Sequence, residues 1–332
     1  MNTWRNILFV SQGLTDEAAT LKQALSVARN NQAALKILVV CPELPQALAN
    51  YRDSFVASLV DHVKSSLKSA NNSVNPSEAD VAVEFKLEGS NLHSAKFGDI
   101  TVKIEAESGA TPANIMIRHV LKNKHDLLIK EAEPKEGGRG FMAVDMELLR
   151  KCPCPVWLSR PISKHRNEIK VAVAVDPESL FPEGEALSLR LLQLGRSYAD
   201  TCSGELDIVS CWDFMSERSF RHNPWIKVKE EEVTQMVEEV RTRSRSALDG
   251  LVKNAKVSGK VLVNHLRGNP SKKIPGYIRD NNIDILIMGT VGRTGISGFF
   301  IGNTAENIMQ ELSCSMLALK PNGFVSPVTL GS

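Results

Sequence analysis

The sequence predicts two tandem copies of a doubly wound, mostly parallel α/β domain. Three observations predict it. Segments of four unlike kinds occur twice, in the same order and at nearly one offset. The strand-like segments are unbroken apolar runs, as in sheets covered on both faces. Those runs alternate with stretches of helical period, the pattern of βαβ units.

Each copy opens on a short apolar strand, Ile7–Val10 in the first and Val171–Val175 in the second. A polar turn and a helix follow. Leu21, Ala24, Leu25 and Ala28 mark the first helix, and Leu187, Leu191, Leu194 and Tyr198 the second. Both sets have the spacing of a helix lying on a core. The next strands are Leu35–Cys41 and Leu206–Cys211. A Gly…Pro turn, a helix and a buried strand come third. Gly109 and Pro112 lead to His125–Ile129, and Gly268 and Pro270 lead to Ile283–Ile287. Asp126 and Asp284 stand 158 positions apart, as do Pro112 and Pro270. The terminal strands are Cys154–Pro161 and Cys314–Pro321, offset by 160. These place a first domain at 1–162 and a second at 167–325, with a linker near Pro161–Arg166.

The copies differ in content. Val81–Glu88 and Asp99–Glu105 alternate apolar and polar residues, whereas the second copy has only Val261–His265 at that place. An extra hairpin within 81–105 of the first copy is expected, with Gly89–Gly98 as its connection. In the second copy Val233, Met236, Val237, Val240, Leu248 and Leu251 mark a long helix on one sheet face, with Met236 as core.

Composition excludes several function classes. The 332 residues carry 40 Lys+Arg against 38 Asp+Glu, a net charge of +2. That argues against nucleic acid or an anionic membrane as the main partner. The basic group Arg218, Arg221, Lys227 and Lys229 is followed at once by Glu230–Glu232, which reads as a mixed solvated surface. No apolar run approaches the ~20 residues of a membrane span, and no signal-peptide core precedes the first strand. A cytoplasmic protein is expected. Its six cysteines are scattered, as reduced thiols are. Cys152-Pro-Cys154 is the one close pair, and no second Cys or His pair stands at zinc-site spacing.

The segment that carries chemistry runs from Gly289 to Glu306. It follows a buried strand ending at Met288 and precedes a helix with apolar residues Ala305, Ile308, Met309 and Leu312. Glycines at a strand end let backbone N–H groups approach a phosphate closely. The following helix turns its positive end to the same place. Asn303 or Thr304 is expected to cap that helix or bond a phosphate oxygen. A plain loop with a helix cap would have the same local sequence.

The spacing Gly289-x2-Gly292-x9-Gly302 resembles the ATP-binding signature of the universal stress protein family, a Rossmann-like fold. The duplicated layout is similar to the tandem members of that family. The resemblance implies ATP or another adenine nucleotide as ligand, with no metal beyond a nucleotide-bound Mg. It implies that Asp176, after the first strand of the second copy, contacts the adenosine part, with Cys211 near the adenine. Met288, Gly289, Gly292, Arg293, Gly302, Asn303 and Thr304 would complete the site, the glycines and Asn303 and Thr304 at the phosphates. The family pattern has Ser or Thr directly after the third glycine, where this chain has Asn303. The resemblance also implies an internal pseudo-dimer in which Val156–Arg160 pairs with Met316–Lys320. A homodimer is compatible with it.

The first copy departs further. Its loop reads Lys130-Glu131-Ala-Glu133-Pro-Lys-Glu136 and then Gly137–Gly140, without the spaced glycines. Glu131, Glu133 and Glu136 would repel a triphosphate, and Ser11 stands in place of the Asp. Ala143–Glu147 is matched with Gly302–Glu306. A lost nucleotide site is expected there, with Gly137–Gly140 as a flexible loop tip. The leading reading is a stress-response protein that acts by binding. Phe299, Phe300 and Ile301 keep open an interaction scaffold or apolar-ligand protein. A slow ATPase is a third reading, although no general base is evident near the motif.

Overall fold

The computed structural model describes residues 3–12, 17–41, 43, 46–74, 86–88, 92–133, 135–179, 182–223, 225, 228–290 and 301–330. The chain divides into two compact units. One comprises residues 1–135, 141–162 and 324–332, and the other 136–140 and 163–323.

The first unit begins with β1 (Asn6–Ser11), α1 (Ala18–Asn31) and β2 (Ala34–Cys41). The predicted α1 residues Leu21, Ala24, Leu25 and Ala28 are all buried. After α2 (Arg52–Val74) come β3 (Lys86–Glu88), β4 (Leu92–Phe97) and β5 (Ile100–Ser108). Then follow α3 (Pro112–Asn123), β6 (Leu127–Glu131), α4 (Ala143–Lys151) and β7 (Val156–Ser159). The strand order within this unit is β7-β6-β1-β2-β5-β4-β3. The pairs among β7, β6, β1, β2 and β5 are parallel, and those of β4 with β5 and β3 antiparallel.

The antiparallel addition is present, with β3 inside the predicted Val81–Glu88 and β5 over the predicted Asp99–Glu105, but a third strand lies between them. The partner of β5 is β4, which lies inside the stretch expected to be a connection. Phe97 stands opposite Ile100 across a two-residue turn, and Gly98 there has φ +58°. A glycine adopts that left-handed conformation without Cβ strain, so the chain reverses at this point. Residues 81–85 lie outside the described residues.

The second unit contains β8 (Val171–Ala174), α5 (Pro182–Asp200), β9 (Glu205–Trp212), α6 (Glu217–His222) and α7 (Glu230–Ala255). It continues with β10 (Lys260–Arg267), α8 (Pro270–Asp280), β11 (Ile285–Gly289), α9 (Asn303–Glu311) and β12 (Ser315–Leu319). Its strand order is β10-β9-β8-β11-β12, all parallel. Val171–Ala174 and Leu286–Ile287 are sealed from solvent, as doubly covered strands require. On α7, Val233, Val237, Leu248 and Leu251 are buried, while Met236 and Val240 are half-buried at the margin of that face.

The repeat extends to single hydrogen bonds. The Asp126 carboxylate accepts the backbone N–H groups of Arg5 (2.7 Å) and Asn6 (3.0 Å). Asp284 accepts that of Lys170 at 2.9 Å. Each aspartate thus satisfies the amide leading into the unit's first strand and ties it to the start of the neighbouring strand, β6 in the first unit and β11 in the second. Among the described residues no helix is long and apolar enough to cross a membrane.

Candidate functional site

In the second unit the chain passes from β8 to β9 on one side of the sheet and returns to β11 on the other. The crevice beyond the C-terminal ends of β8 and β11 is therefore the topological switch point, where open α/β sheets hold ligands. The register pairs Ala174 with both Val209 and Met288. Asp176, Cys211 and Thr290 each lie two residues beyond those partners, on three adjacent strand ends.

Asp176 is half-buried, and its Oδ1 accepts the Glu178 N–H at 3.2 Å. Cys211 is half-buried on β9, and burial pushes its thiol up to about 11, against the opposing pull of Lys273. It is a neutral wall at physiological pH. Met288 is buried in β11, and Gly289 ends that strand. A Cβ at Gly289 would meet Leu187 Cδ2 at 2.9 Å, so the glycine lets α5 pack closely against the strand end. Gly292 and Arg293 lie outside the described residues.

Sequence reasoning passed over Thr290. It is fully buried, its N–H donates to Leu319 O at 3.0 Å, and its carbonyl accepts the Gly302 N–H at 2.9 Å. It therefore ties Gly302 back to the end of β11. Lys320 Nζ, also buried, lies 3.2 Å from Thr290 Oγ1.

The start of α9 corrects one expectation. Gly302 is the N-cap, in extended conformation, and no side chain caps the helix. Asn303 and Thr304 are instead its first two helical residues, both exposed. The first intrahelical bond runs from Glu306 N–H to Gly302 O at 2.9 Å. The amides of the first turn precede that bond, as at any helix start. With the dipole, they make this end suited to an anion. Ile301, just before the N-cap, is buried.

The same location in the first unit is chemically different. Strand register sets the correspondence: Ile7 pairs with Leu127 as Val171 pairs with Ile285. Extended along both strands, this matches Asp176 with Gln12 rather than Ser11. Ser11 is wholly buried and corresponds to Val175. The two helices begin after N-caps Met142 and Gly302, so Asp145 corresponds to Ala305 rather than Thr304. Lys130 corresponds to Met288. A buried Met and a buried Ala in one unit are thus a Lys and an Asp in the other.

Those two charges meet. Lys130 Nζ lies 2.8 Å from Asp145 Oδ1 and 3.0 Å from Glu131 O, while Asp145 Oδ2 accepts the Glu133 N–H at 2.9 Å. Gln12 Nε2 donates to Glu133 Oε1 at 3.1 Å, and Gln12 N–H donates to Glu17 Oε1 at 3.0 Å. Thr20 Oγ1 donates to Glu131 Oε2 at 2.8 Å. Burial raises the Asp145 carboxyl above its usual value, with Lys130 opposing, and likewise raises Glu17. Glu131 and Glu133, expected to repel a phosphate, are held in this internal network. Residues 136–138, expected as part of a flexible tip, include a short helical turn with Gly137 at φ +77°. Among the described residues no group of three or more His, Cys, Asp or Glu side chains is arranged to hold a metal.

Comparison with known proteins agrees with this architecture. The universal stress protein family model matches residues 3–160 and again 170–320. A universal stress protein E from Photorhabdus laumondii is 30% identical over 235 residues, covering 69% of this chain and 72% of that protein. Its namesake from Escherichia coli K12 is 28% identical over 235 residues, covering 70% and 72%. A structure of a functionally unknown protein from Pseudomonas aeruginosa PAO1 superposes with a TM-score of 0.67 at 20% identity, covering 97% of this chain and 95% of that one. A universal stress protein from Archaeoglobus fulgidus superposes at 0.58 and 12% identity, covering 96% and 99%. Two matches of the family model in one chain, spanning both halves of the repeat, establish that this protein belongs to the universal stress protein family.

Proposed function

We propose that this protein serves a stress response by binding ATP or another adenine nucleotide in its second unit, and only there. One contrast carries the reading. At the switch point of the second unit, α9 begins from a glycine N-cap beside a glycine-ended strand. At the same point of the first unit, where α4 likewise has no side-chain cap, the N-cap is Met142 and a buried Lys–Asp pair joins the strand end to the helix start. Asp176 would bond the adenosine part and Cys211 would border the base. Gly289, Gly292 and Gly302, with Asn303 and Thr304, would present backbone amides to the phosphates. Arg293 would add positive charge. A magnesium ion would arrive with the nucleotide. Asn303 presents an amide side chain in place of a hydroxyl and donates to phosphate oxygen from its NH2 group.

Two side chains at the crevice support binding rather than turnover. Glu306 is a first-turn acid of the kind the helix dipole favours, and the Asp176 carboxylate is already accepting a backbone N–H. Calorimetry of the full chain with Mg·ATP tests the proposal. One site per chain is expected, abolished by Gly292→Val, with no phosphate release on prolonged incubation. Absence of heat for ATP, ADP and AMP at millimolar concentration would overturn nucleotide binding. Steady phosphate release lost in Gly292→Val would overturn the binding-only reading.

A further inference from the structure

The two sulfur atoms of the Cys152-Pro153-Cys154 segment lie 3.6 Å apart. Cys152 is the C-cap of α4, its N–H donating to Leu148 O at 2.9 Å, and Cys154 stands two residues before β7. The pair therefore sits at the joint between the last helix and last strand of the first unit. The proline between them fixes one backbone angle and reduces what the chain loses on closing so short a ring.

The internal repeat separates ordinary packing from something added. Cys154 corresponds to Cys314, and both are buried, so one thiol at this place belongs to the fold. Cys152 corresponds to Leu312, the C-cap of α9, which is equally buried. An apolar side chain thus satisfies the position in the second unit. The first unit places a second sulfur there, within contact of the first. Among the described residues no third His, Cys, Asp or Glu joins them.

We propose that Cys152 and Cys154 form a reversible redox modification site, a dithiol that a peroxide oxidises to a disulfide within the first unit. Both residues are buried, Cys154 slightly less completely than Cys152, and Cys154 is assigned the first encounter with the oxidant. Cys154 gives its proton to water, and its sulfur attacks one peroxide oxygen. The O–O bond breaks, and the departing hydroxide takes up a proton to become water. The resulting sulfenic acid is attacked by the Cys152 sulfur. The S–S bond forms as the S–O bond breaks, and the leaving hydroxide takes the Cys152 proton to give a second water. Two thiols are oxidised by two electrons, and one peroxide is reduced to two waters. Closure to the ~2.05 Å of a disulfide requires side-chain rotation from the present separation. Burial, together with the neighbouring Cys152, raises the Cys154 thiol well above its ordinary value, so the reaction speeds up as pH rises through the alkaline range.

The test uses the full reduced chain and hydrogen peroxide. After exposure, free thiols are alkylated under denaturing conditions and the trypsin fragment 152–164 is weighed. The expected fragment has lost two hydrogens, carries no alkyl group and regains two alkylation sites after dithiothreitol. Non-reducing electrophoresis should show the monomer band. In Cys152→Ser, Cys154 should instead be trapped as a sulfenic acid by dimedone. The proposal is overturned if fragment 152–164 stays fully alkylated at a peroxide dose that oxidises the more exposed Cys202 and Cys211. It is equally overturned if Cys154 accumulates as sulfinic acid. The wild-type reading stands whether or not the variant folds, and it is independent of nucleotide binding.

Discussion

Lys130 Nζ and Asp145 Oδ1 are 2.8 Å apart, with Asp145 wholly enclosed and Lys130 nearly so. Buried pairs of this kind gain their attraction against a large desolvation cost. Removing one partner leaves the other charge buried alone. Lys130→Met or Asp145→Ala should each cost about 3–5 kcal/mol in urea unfolding. The double variant Lys130→Met/Asp145→Ala copies Met288 and Ala305 of the second unit. It should recover most of that loss, which a double-mutant cycle reads directly.

A charge added at the start of α9 separates nucleotide binding from stability. Thr304 is exposed in the first turn, where an acid gains about 0.3–1 kcal/mol from the helix dipole. Thr304→Glu should therefore leave the melting temperature unchanged or slightly raised while eliminating ATP binding by repulsion. Gln12→Ala, at the first-unit position that matches Asp176, should leave ATP binding unaltered. Calorimetry and thermal melts on the same samples check both outcomes.

His125 makes the first unit acid-sensitive. Burial lowers its imidazole to about 4, against a bond from its Nδ1 to Asn6 O at 3.3 Å and with Lys36 and His119 adding to the depression. The unfolded chain takes up this proton near 6.5, the folded chain only near 4. The stability tied to His125 is thus complete above pH 6.5 and is lost as pH falls toward 4, by about 3 kcal/mol. The second unit carries buried Ile283 at the matching position, and both residues donate their N–H to the preceding helix. His125→Ile should flatten the stability–pH curve between those values.

Gly195 lies inside α5, where alanine would ordinarily be worth about 1 kcal/mol. Here a Cβ would fall 2.1 Å from Val173 Cγ2 and 3.1 Å from Leu206 Cδ1. The helix rests directly on β8 and β9 at this residue. Gly195→Ala should destabilise the protein by about 1–3 kcal/mol, measured by denaturant midpoint at unchanged slope.

The sequence by itself determined the duplication, the α/β class and the order of the main strands, because sheets covered on both faces demand long apolar runs. It also determined the paired aspartates 126 and 284, since the amide leading into the first strand of each unit needs an acceptor. It marked the glycine-spaced loop and the loss of that loop in the first copy. What it left open were relationships between residues distant along the chain. Ser11 was the natural match for Asp176 by position, yet strand register assigns Gln12, because the apolar run stops at Val10 in the first copy and one residue later, at Val175, in the second. Strand β4 was hidden in a stretch read as a connection until a two-residue turn at Gly98 paired it with β5. Lys130 and the acids after it have the composition of a solvated loop. Only the tertiary structure decided that Lys130 is buried and faces Asp145, because a strand end and a helix start fifteen residues apart converge on one enclosed point, where neither charge can stay without the other.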